Sequence, residues 1–146
     1  RPPRSTLFPL HDALPISYLK ELHINLQNNI IDEVTQIFRE SLPKFQKPAV
    51  FSLNLGQNAL NNKALNILGE GLHHIESLER LDLYLFHNSI DGIGARMLAQ
   101  NLGKLRYLRA LKLDLSVNYI ENDGAYSLIS ILESLEYLHD LQLHFF

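Results

Sequence analysis

The chain has 146 residues, which suits one domain, and 46% of them are hydrophobic, enough for a continuous core. Its formal charge is −3, from 13 Lys and Arg against 16 Asp and Glu, so it lacks the basic footprint that binds nucleic acid or an anionic membrane. No apolar run approaches 18 residues, and the sequence therefore predicts no transmembrane helix.

Residues 1–17 do not follow the pattern of the rest of the chain. They lack a cationic start followed by an apolar stretch, so no signal peptide is expected. Residues 6–16, TLFPLHDALPI, resemble the translation of a sequencing adaptor, with Thr6–Pro9 in one reading frame and Leu10–Ile16 in another. We interpret this segment as an assembly artefact. A disordered, proline-containing linker is the alternative.

From residue 18 to residue 146, the chain repeats with a period of about 30 residues. The two clearest units are LERLDLYLFHNSIDGIGARMLAQNLGKLRY and LRALKLDLSVNYIENDGAYSLISILESLEY. The units, the last of them incomplete, begin at Leu19, Pro48, Leu78, Leu108 and Leu138. We count positions within a unit from this first residue as offset zero. A fixed period of this size indicates a repeat architecture.

The residue pattern of each unit predicts one strand followed by one helix. Leucines that alternate with other residues, as in LxxLxLxL, indicate a strand with one buried face. After a polar turn, apolar residues at steps of three and four indicate an amphipathic helix. The residues that suit the N-caps of these helices are Asp32, Asn61, Asp91 and Asn122. One unit cannot bury its own core, so neighbouring units should stack with parallel strands.

The pattern LxxLxLxLxxNxI resembles a leucine-rich repeat of the ribonuclease-inhibitor-like class, over Leu19–Phe146. The resemblance implies an α/β solenoid with a parallel β-sheet on the concave face and helices on the convex face. The usual core of this class is LxxLxLxxN, and the units here contain two additional residues. These keep the alternation of period two, so we expect a longer strand rather than a bulge.

The resemblance also implies a structural role for a recurring asparagine at offset ten. Its amide is expected to turn inward and bind loop backbone of neighbouring turns, because an unpaired buried amide costs about 1–3 kcal/mol. This ladder comprises Asn29, Asn58, Asn88 and Asn118. Small residues at offset sixteen are expected to let the helix approach the sheet closely; they are Ala64, Gly94 and Gly124.

No pattern in the sequence indicates catalysis, a cofactor or a metal site. The seven histidines lack zinc-ligand spacing, and there is no cysteine. The DGIGA sequence contains Gly92 and Gly94, but this spacing lies at the start of a predicted helix and is explained by structure. The sequence therefore predicts a protein that is not an enzyme and has no cofactor.

The concave sheet face is the usual ligand surface of the family. The candidate residues for binding a partner there are Asp82, Tyr84, Phe86, His87, Lys112 and Asp114. In-register stacking should place Asp82 beside Lys112 and Tyr84 beside Asp114. Exposed aromatic side chains among charges are typical of protein-binding hot spots. The alternative is that these are ordinary strand residues on a solvent-facing sheet.

The favoured function is a non-catalytic protein–protein interaction module that binds a protein partner on the concave face. Two alternatives are the recognition arm of a larger enzyme or signalling protein, of the kinase or ubiquitin-ligase type, and a structural scaffold. The absence of cysteine favours a reducing, cytoplasmic location, unless disulfide-bonded caps lie outside this sequence. Phe145 and Phe146 would leave apolar surface exposed, so weak self-association is expected.

Overall fold

The computed structural model describes residues 19–29, 34–42 and 48–146. In this part of the chain strands and helices alternate as β1 (Glu21–Asn25), α1 (Val34–Ser41), β2 (Val50–Asn54), α2 (Asn62–His73), β3 (Arg80–Tyr84), α3 (Gly92–Leu102), β4 (Ala110–Asp114), α4 (Glu121–Leu132) and β5 (Asp140–His144). The strands form one sheet in the order β1-β2-β3-β4-β5, and each pair is parallel. The predicted α/β class with a parallel sheet is confirmed. Residues 1–17 and Asp32 lie outside the described residues.

Strand pairing follows the register of the sequence repeat. Leu81 of β3 pairs with Phe51 of β2 and with Leu111 of β4, and all three occupy offset three of their units. Leu111 in turn pairs with Leu141 of β5. Because side chains alternate between the two faces of a strand, this register places each row of apolar residues on one face of the sheet.

The apolar rows of the strands and the apolar stripes of the helices form one core. On β3 and directly after it, Leu81, Leu83 and Leu85 are fully buried, as are Leu98 and Leu102 of α3. These residues belong to a single cluster that runs through the units. Burial of each such side chain contributes about 1.5–3 kcal/mol. No helix in the described part of the chain is long and apolar enough to cross a membrane.

Backbone pairing between units continues beyond the five residues of each strand. The Leu85 N–H donates to the Asp114 carbonyl at 2.8 Å, and the His87 N–H donates to the Ser116 carbonyl at 2.8 Å. The same bonds recur between the other units. The two additional residues of each unit therefore extend the paired backbone, as expected, although the strands themselves are five residues long.

A residue in the left-handed conformation ends this pairing in each of the first four units. At offset nine, the φ angles are 58° for Asn28, 56° for Gln57, 56° for His87 and 54° for Val117. Asn adopts this conformation readily, whereas a β-branched residue such as Val is a clear outlier there. The turn comes directly before the recurring asparagine.

The asparagines at offset ten join neighbouring units through backbone groups. The Asn88 side chain donates to the carbonyls of Leu55, at 3.1 Å, and Leu85, at 2.9 Å, and it accepts the Leu60 N–H at 3.0 Å. Asn118 makes the corresponding three contacts. Asn58 makes the two corresponding donations, to the Leu26 and Leu55 carbonyls, but accepts the Asn29 N–H. The predicted structural role is confirmed for these three residues. Asn29 is exposed, and its side-chain amide donates within its own turn.

Two of the predicted N-caps are confirmed and one is wrong. Asn61 accepts an N–H from the first turn of α2 at 3.0 Å, and Asp91 accepts two from α3 at 2.7 and 3.3 Å. Asn122, however, lies inside α4, which has no side-chain cap. The residue at the position of Asp91 in this unit is Glu121, with φ 53°. Its longer side chain does not form the local bond that an aspartate or asparagine forms.

The small residues at offset sixteen let neighbouring helices, rather than helix and sheet, approach closely. A Cβ atom on Gly124 would lie 2.5 Å from the Cα atom of Gly92 in α3. A Cβ atom on Gly94 would lie 2.3 Å from the Asn62 Oδ1 atom in α2. The expectation of a close approach to the sheet was therefore wrong for both glycines, because the first turns of the helices meet each other there.

Candidate binding surface on the sheet

The face of the sheet opposite the core carries the predicted binding residues of β3 and β4. Asp82 and Tyr84 alternate with buried leucines on β3, and Lys112 and Asp114 do so on β4. All four side chains are partly exposed. We call the surface formed by these four residues and Phe86 the open face.

The strand register brings the residues of the open face together as predicted. Asp82 is paired with Lys112, and Tyr84 is paired with Asp114. The charged side chains of Asp82 and Lys112, however, do not form an ion pair with each other. The Lys112 ammonium lies 5.2 Å from the centroid of the Tyr84 ring, a cation–π distance. Asp82 forms an ion pair with Arg80 of its own strand. Arg80 was not among the predicted site residues.

The Asp82 carboxylate on the open face is held by Arg80, and one of its oxygen atoms is buried. Its Oδ2 atom accepts bonds from the Arg80 Nε and Nη2 atoms, both at 3.3 Å. Its Oδ1 atom lies 3.2 Å from Nε but has no hydrogen-bond partner among the described residues. The contact between the Arg80 Nε atom and Oδ1 is therefore an ion pair whose geometry does not meet that of a hydrogen bond. The side chain is only 14% exposed and the Oδ1 atom itself is buried, so Asp82 meets a partner as part of the Arg80–Asp82 ion pair rather than through a free acceptor.

The two aromatic side chains of the open face are half-buried, so the expectation of exposed aromatics was wrong. The Phe86 ring lies across the neighbouring unit, where a Cβ atom on Gly56 would come within 2.4 Å of ring carbons. The Lys112 ammonium lies over the Tyr84 ring. Both rings therefore contact neighbouring units, and each keeps part of its surface in solvent. Rings fixed in this way lose little conformational entropy when a partner binds.

Asp114 also has a local structural role that the sequence analysis missed. Its carboxylate accepts the Ser116 N–H at 3.0 Å, which stabilises the chain where it leaves β4. Asn54 accepts the Gly56 N–H at 3.0 Å in the same way. The recurrence of Asn or Asp at offset six was the signal available in the sequence. Tyr84 and His144 are the exceptions at this offset.

His87 lies beside the open face rather than within it. It occupies the left-handed turn after β3 and is exposed. With Asn28, Gln57 and Asn58 it lines a shallow cavity of about 420 Å³ along the carboxyl ends of the strands. His87 therefore extends the candidate surface at its rim.

No group of three or more His, Cys, Asp or Glu side chains that could hold a metal ion occurs within the described ranges.

Neither a protein-family model nor a curated protein matches the sequence. The functional proposal therefore rests on the geometry of the open face.

Proposed function

We propose that the chain is a leucine-rich repeat protein of the ribonuclease-inhibitor-like class, and that it acts as a non-catalytic module that binds a partner protein on the open face. The register of the strands and the three buried or part-buried asparagines that bridge units support the repeat architecture. Each unit contributes one strand to the sheet and, in the first four units, one helix to the other side.

The different widths of strands and helices support a curved stack with the open face on the inside. Neighbouring strands in a sheet lie about 4.8 Å apart. Packed helices need about 8–10 Å between their axes. When both alternate in one chain, the helical layer is longer than the sheet, so the stack bends around the sheet. The open face then becomes a concave surface that can enclose part of a protein.

The observation that carries the proposal is the arrangement around Tyr84. A half-buried tyrosine ring lies under the Lys112 ammonium and beside the Asp114 strand position, and Asp82, ion-paired with Arg80, lies two residues away on the same strand. Protein-binding hot spots combine an aromatic anchor with charged groups that make directed bonds.

The test is partner capture with matched double variants. Tyr84→Ala with Phe86→Ala should preserve the fold, because neither residue belongs to the buried core, and should reduce retention of a bound partner at least about tenfold. The control is Tyr126→Ala with Ile129→Ala on the exposed side of α4, which should retain the partner. A partner lost equally from both variants, or from neither, would contradict binding at the open face.

A further inference from the structure

A second surface lies at the opposite edge of the sheet, where the helices end and the next strands begin. One cavity of about 390 Å³ there is lined by His73, Glu76, Lys104, Arg106 and Tyr107. We call it the first edge cavity. It is separate from the open face, because its residues come from the end of α2 and from the connections after α2 and α3 rather than from the strands.

A second edge cavity, also of about 390 Å³, occupies the same place one unit later along the chain. Ser134 replaces Lys104, Glu136 replaces Arg106, and Arg106 takes the position that Glu76 has in the first cavity. The first edge cavity therefore has two cations against one carboxylate, and the second has one of each. The molecule thus contains two equivalent cavities that differ in charge.

The cations of the first edge cavity have unused hydrogen-bond donors. The Lys104 ammonium donates to the Asn101 Oδ1 atom at 3.1 Å, and two of its three hydrogens remain. The Arg106 side chain makes no hydrogen bond or ion pair within the described ranges. The neighbouring carboxylate of Glu79 already has a partner in Arg109, at 3.6 Å. In a chain of net charge −3, this is a local site of positive charge.

His73 adds no full positive charge to the first edge cavity near neutral pH. Burial, together with the charges of His74 and Lys104, lowers the pKa of His73 below its usual value, although Glu70 and the Gly69 backbone oppose the shift. A bound anion would favour the protonated ring. His73 therefore provides a spectroscopic probe of the cavity.

Two exposed tyrosines supply apolar surface beside these cations. Tyr107 is 60% exposed and Tyr137 is 54% exposed. Their rings are stacked with centroids 6.5 Å apart. Tyr107 lines both cavities, so one face of this aromatic pair borders the Lys104 and Arg106 side chains. Tyrosine next to arginine is a combination enriched in protein interfaces.

We propose that the first edge cavity binds an acidic peptide segment of a partner protein. Lys104 and Arg106 contact its carboxylates, and Tyr107 packs against the aliphatic part of its side chains. The second edge cavity does not bind such a segment, because it contains Glu136 and no lysine. This inference is independent of the function proposed for the open face.

The experiment is titration of the whole chain with a hexaglutamate peptide at low salt, followed by NMR, with a hexaglutamine peptide as the ligand control. Saturable shifts should appear at Lys104, Arg106 and Tyr107, and the pKa of His73 should rise. Added salt should weaken binding, because exposed charges are screened over about 10 Å at 0.1 M. Equal binding of hexaglutamine, or shifts confined to the open face, would overturn the proposal.

A pair of exchange variants uses the two cavities as mutual controls. Lys104→Ser gives the first cavity the serine of the second and should weaken hexaglutamate binding up to about fivefold, the range of one exposed ion pair. Ser134→Lys should add shifts at position 134 and at Tyr137 and strengthen binding. Arg96→Ser, on the exposed side of α3, removes the same charge elsewhere and should leave the affinity nearly unchanged. Equal weakening by Lys104→Ser and Arg96→Ser would show general charge attraction and contradict a site.

Discussion

At the scale of single residues, two consecutive positions determine how each unit leaves the sheet. The residue at offset nine turns the backbone into the left-handed region, and the asparagine at offset ten then bonds to the neighbouring unit. The asparagine could be predicted because it recurs unchanged. The turn could not, because its four residues, Asn28, Gln57, His87 and Val117, share no chemical property that marks a positive φ.

Val117 is the residue least suited to this turn, and replacing it should stabilise the protein. Val117→Asn should increase the free energy of unfolding by about 1 kcal/mol, since the left-handed conformation costs an ordinary side chain about 1–2 kcal/mol and asparagine less. Val117 is 59% exposed, so the exchange removes little packing. Urea denaturation measures the change. Val117→Thr is the control: it is polar but β-branched and should give no gain. An equal increase in the free energy of unfolding in both variants would show that polarity, rather than the backbone conformation, causes the effect.

Asn88 is the most buried asparagine of the ladder, at 7% exposed. Asn88→Ala leaves the Leu60 N–H and the Leu55 and Leu85 carbonyls without this partner, and should lower the free energy of unfolding by at least about 2 kcal/mol. Asn29→Ala, at the exposed end of the ladder, should cost less than about 1 kcal/mol. Thermal denaturation of the pair gives the comparison. A similar loss at both positions would contradict the bridging role of Asn88.

At the scale of elements, periodicity was sufficient to predict each strand and helix of the described units, because one face of each is apolar. The helix ends were less predictable. Asp91 and Asn61 act as caps, but α4 begins without one, since Glu121 stands at the capping position and Asn122 follows it inside the helix. The short polar side chain that suggests a cap in the sequence must also fall at the correct offset.

The cap of α3 should make part of the stability depend on pH. The Asn62 side-chain amide, which donates to Asp91 at 2.8 Å, lowers the pKa of Asp91, and the N–H groups of Ile93 and Gly94 act in the same direction. A lowered folded-state pKa stabilises the fold above the unfolded-state pKa of about 4, and the contribution disappears as pH falls through the folded-state value. Asp91→Asn keeps the acceptor but does not titrate.

The stability difference between the wild type and Asp91→Asn should therefore shrink as pH falls from about 5 to 3. Urea midpoints measured across this range test it. A difference that stays constant with pH would show that the Asp91 charge does not contribute.

The first turns of α3 and α4 meet so closely that a side chain at Gly124 does not fit. Gly124→Ala places a Cβ atom 2.5 Å from the Gly92 Cα atom, and should cost about 1–3 kcal/mol because backbone must move. Gly103→Ala is the control. Its Cβ atom would lie 2.9 Å from the Ile131 Cγ2 atom, a side-chain rather than a backbone atom, and its φ of −61° suits alanine. Melting temperatures should fall much more for the first variant than for the second.

At the scale of the whole molecule, the 30-residue period predicted the strand order, the parallel pairing and the register that gathers Asp82, Tyr84, Lys112 and Asp114 on one face. The partners of the charges could not be predicted. Lys112 turns to the Tyr84 ring and Asp82 turns to Arg80, because long side chains choose among several neighbours within reach. The half-burial of Phe86 likewise depends on Gly56 in another unit.

Site-specific photo-crosslinking tests the proposed binding function most directly. A benzoylphenylalanine in place of Tyr84 reports on the open face, and one in place of Tyr126, which is 71% exposed on α4, reports on the helical side. Irradiation in a cell extract should link position 84, but not position 126, to a discrete protein, and excess unlabelled chain should compete. Crosslinking from position 126 alone, or equally from both positions, would contradict binding on the open face.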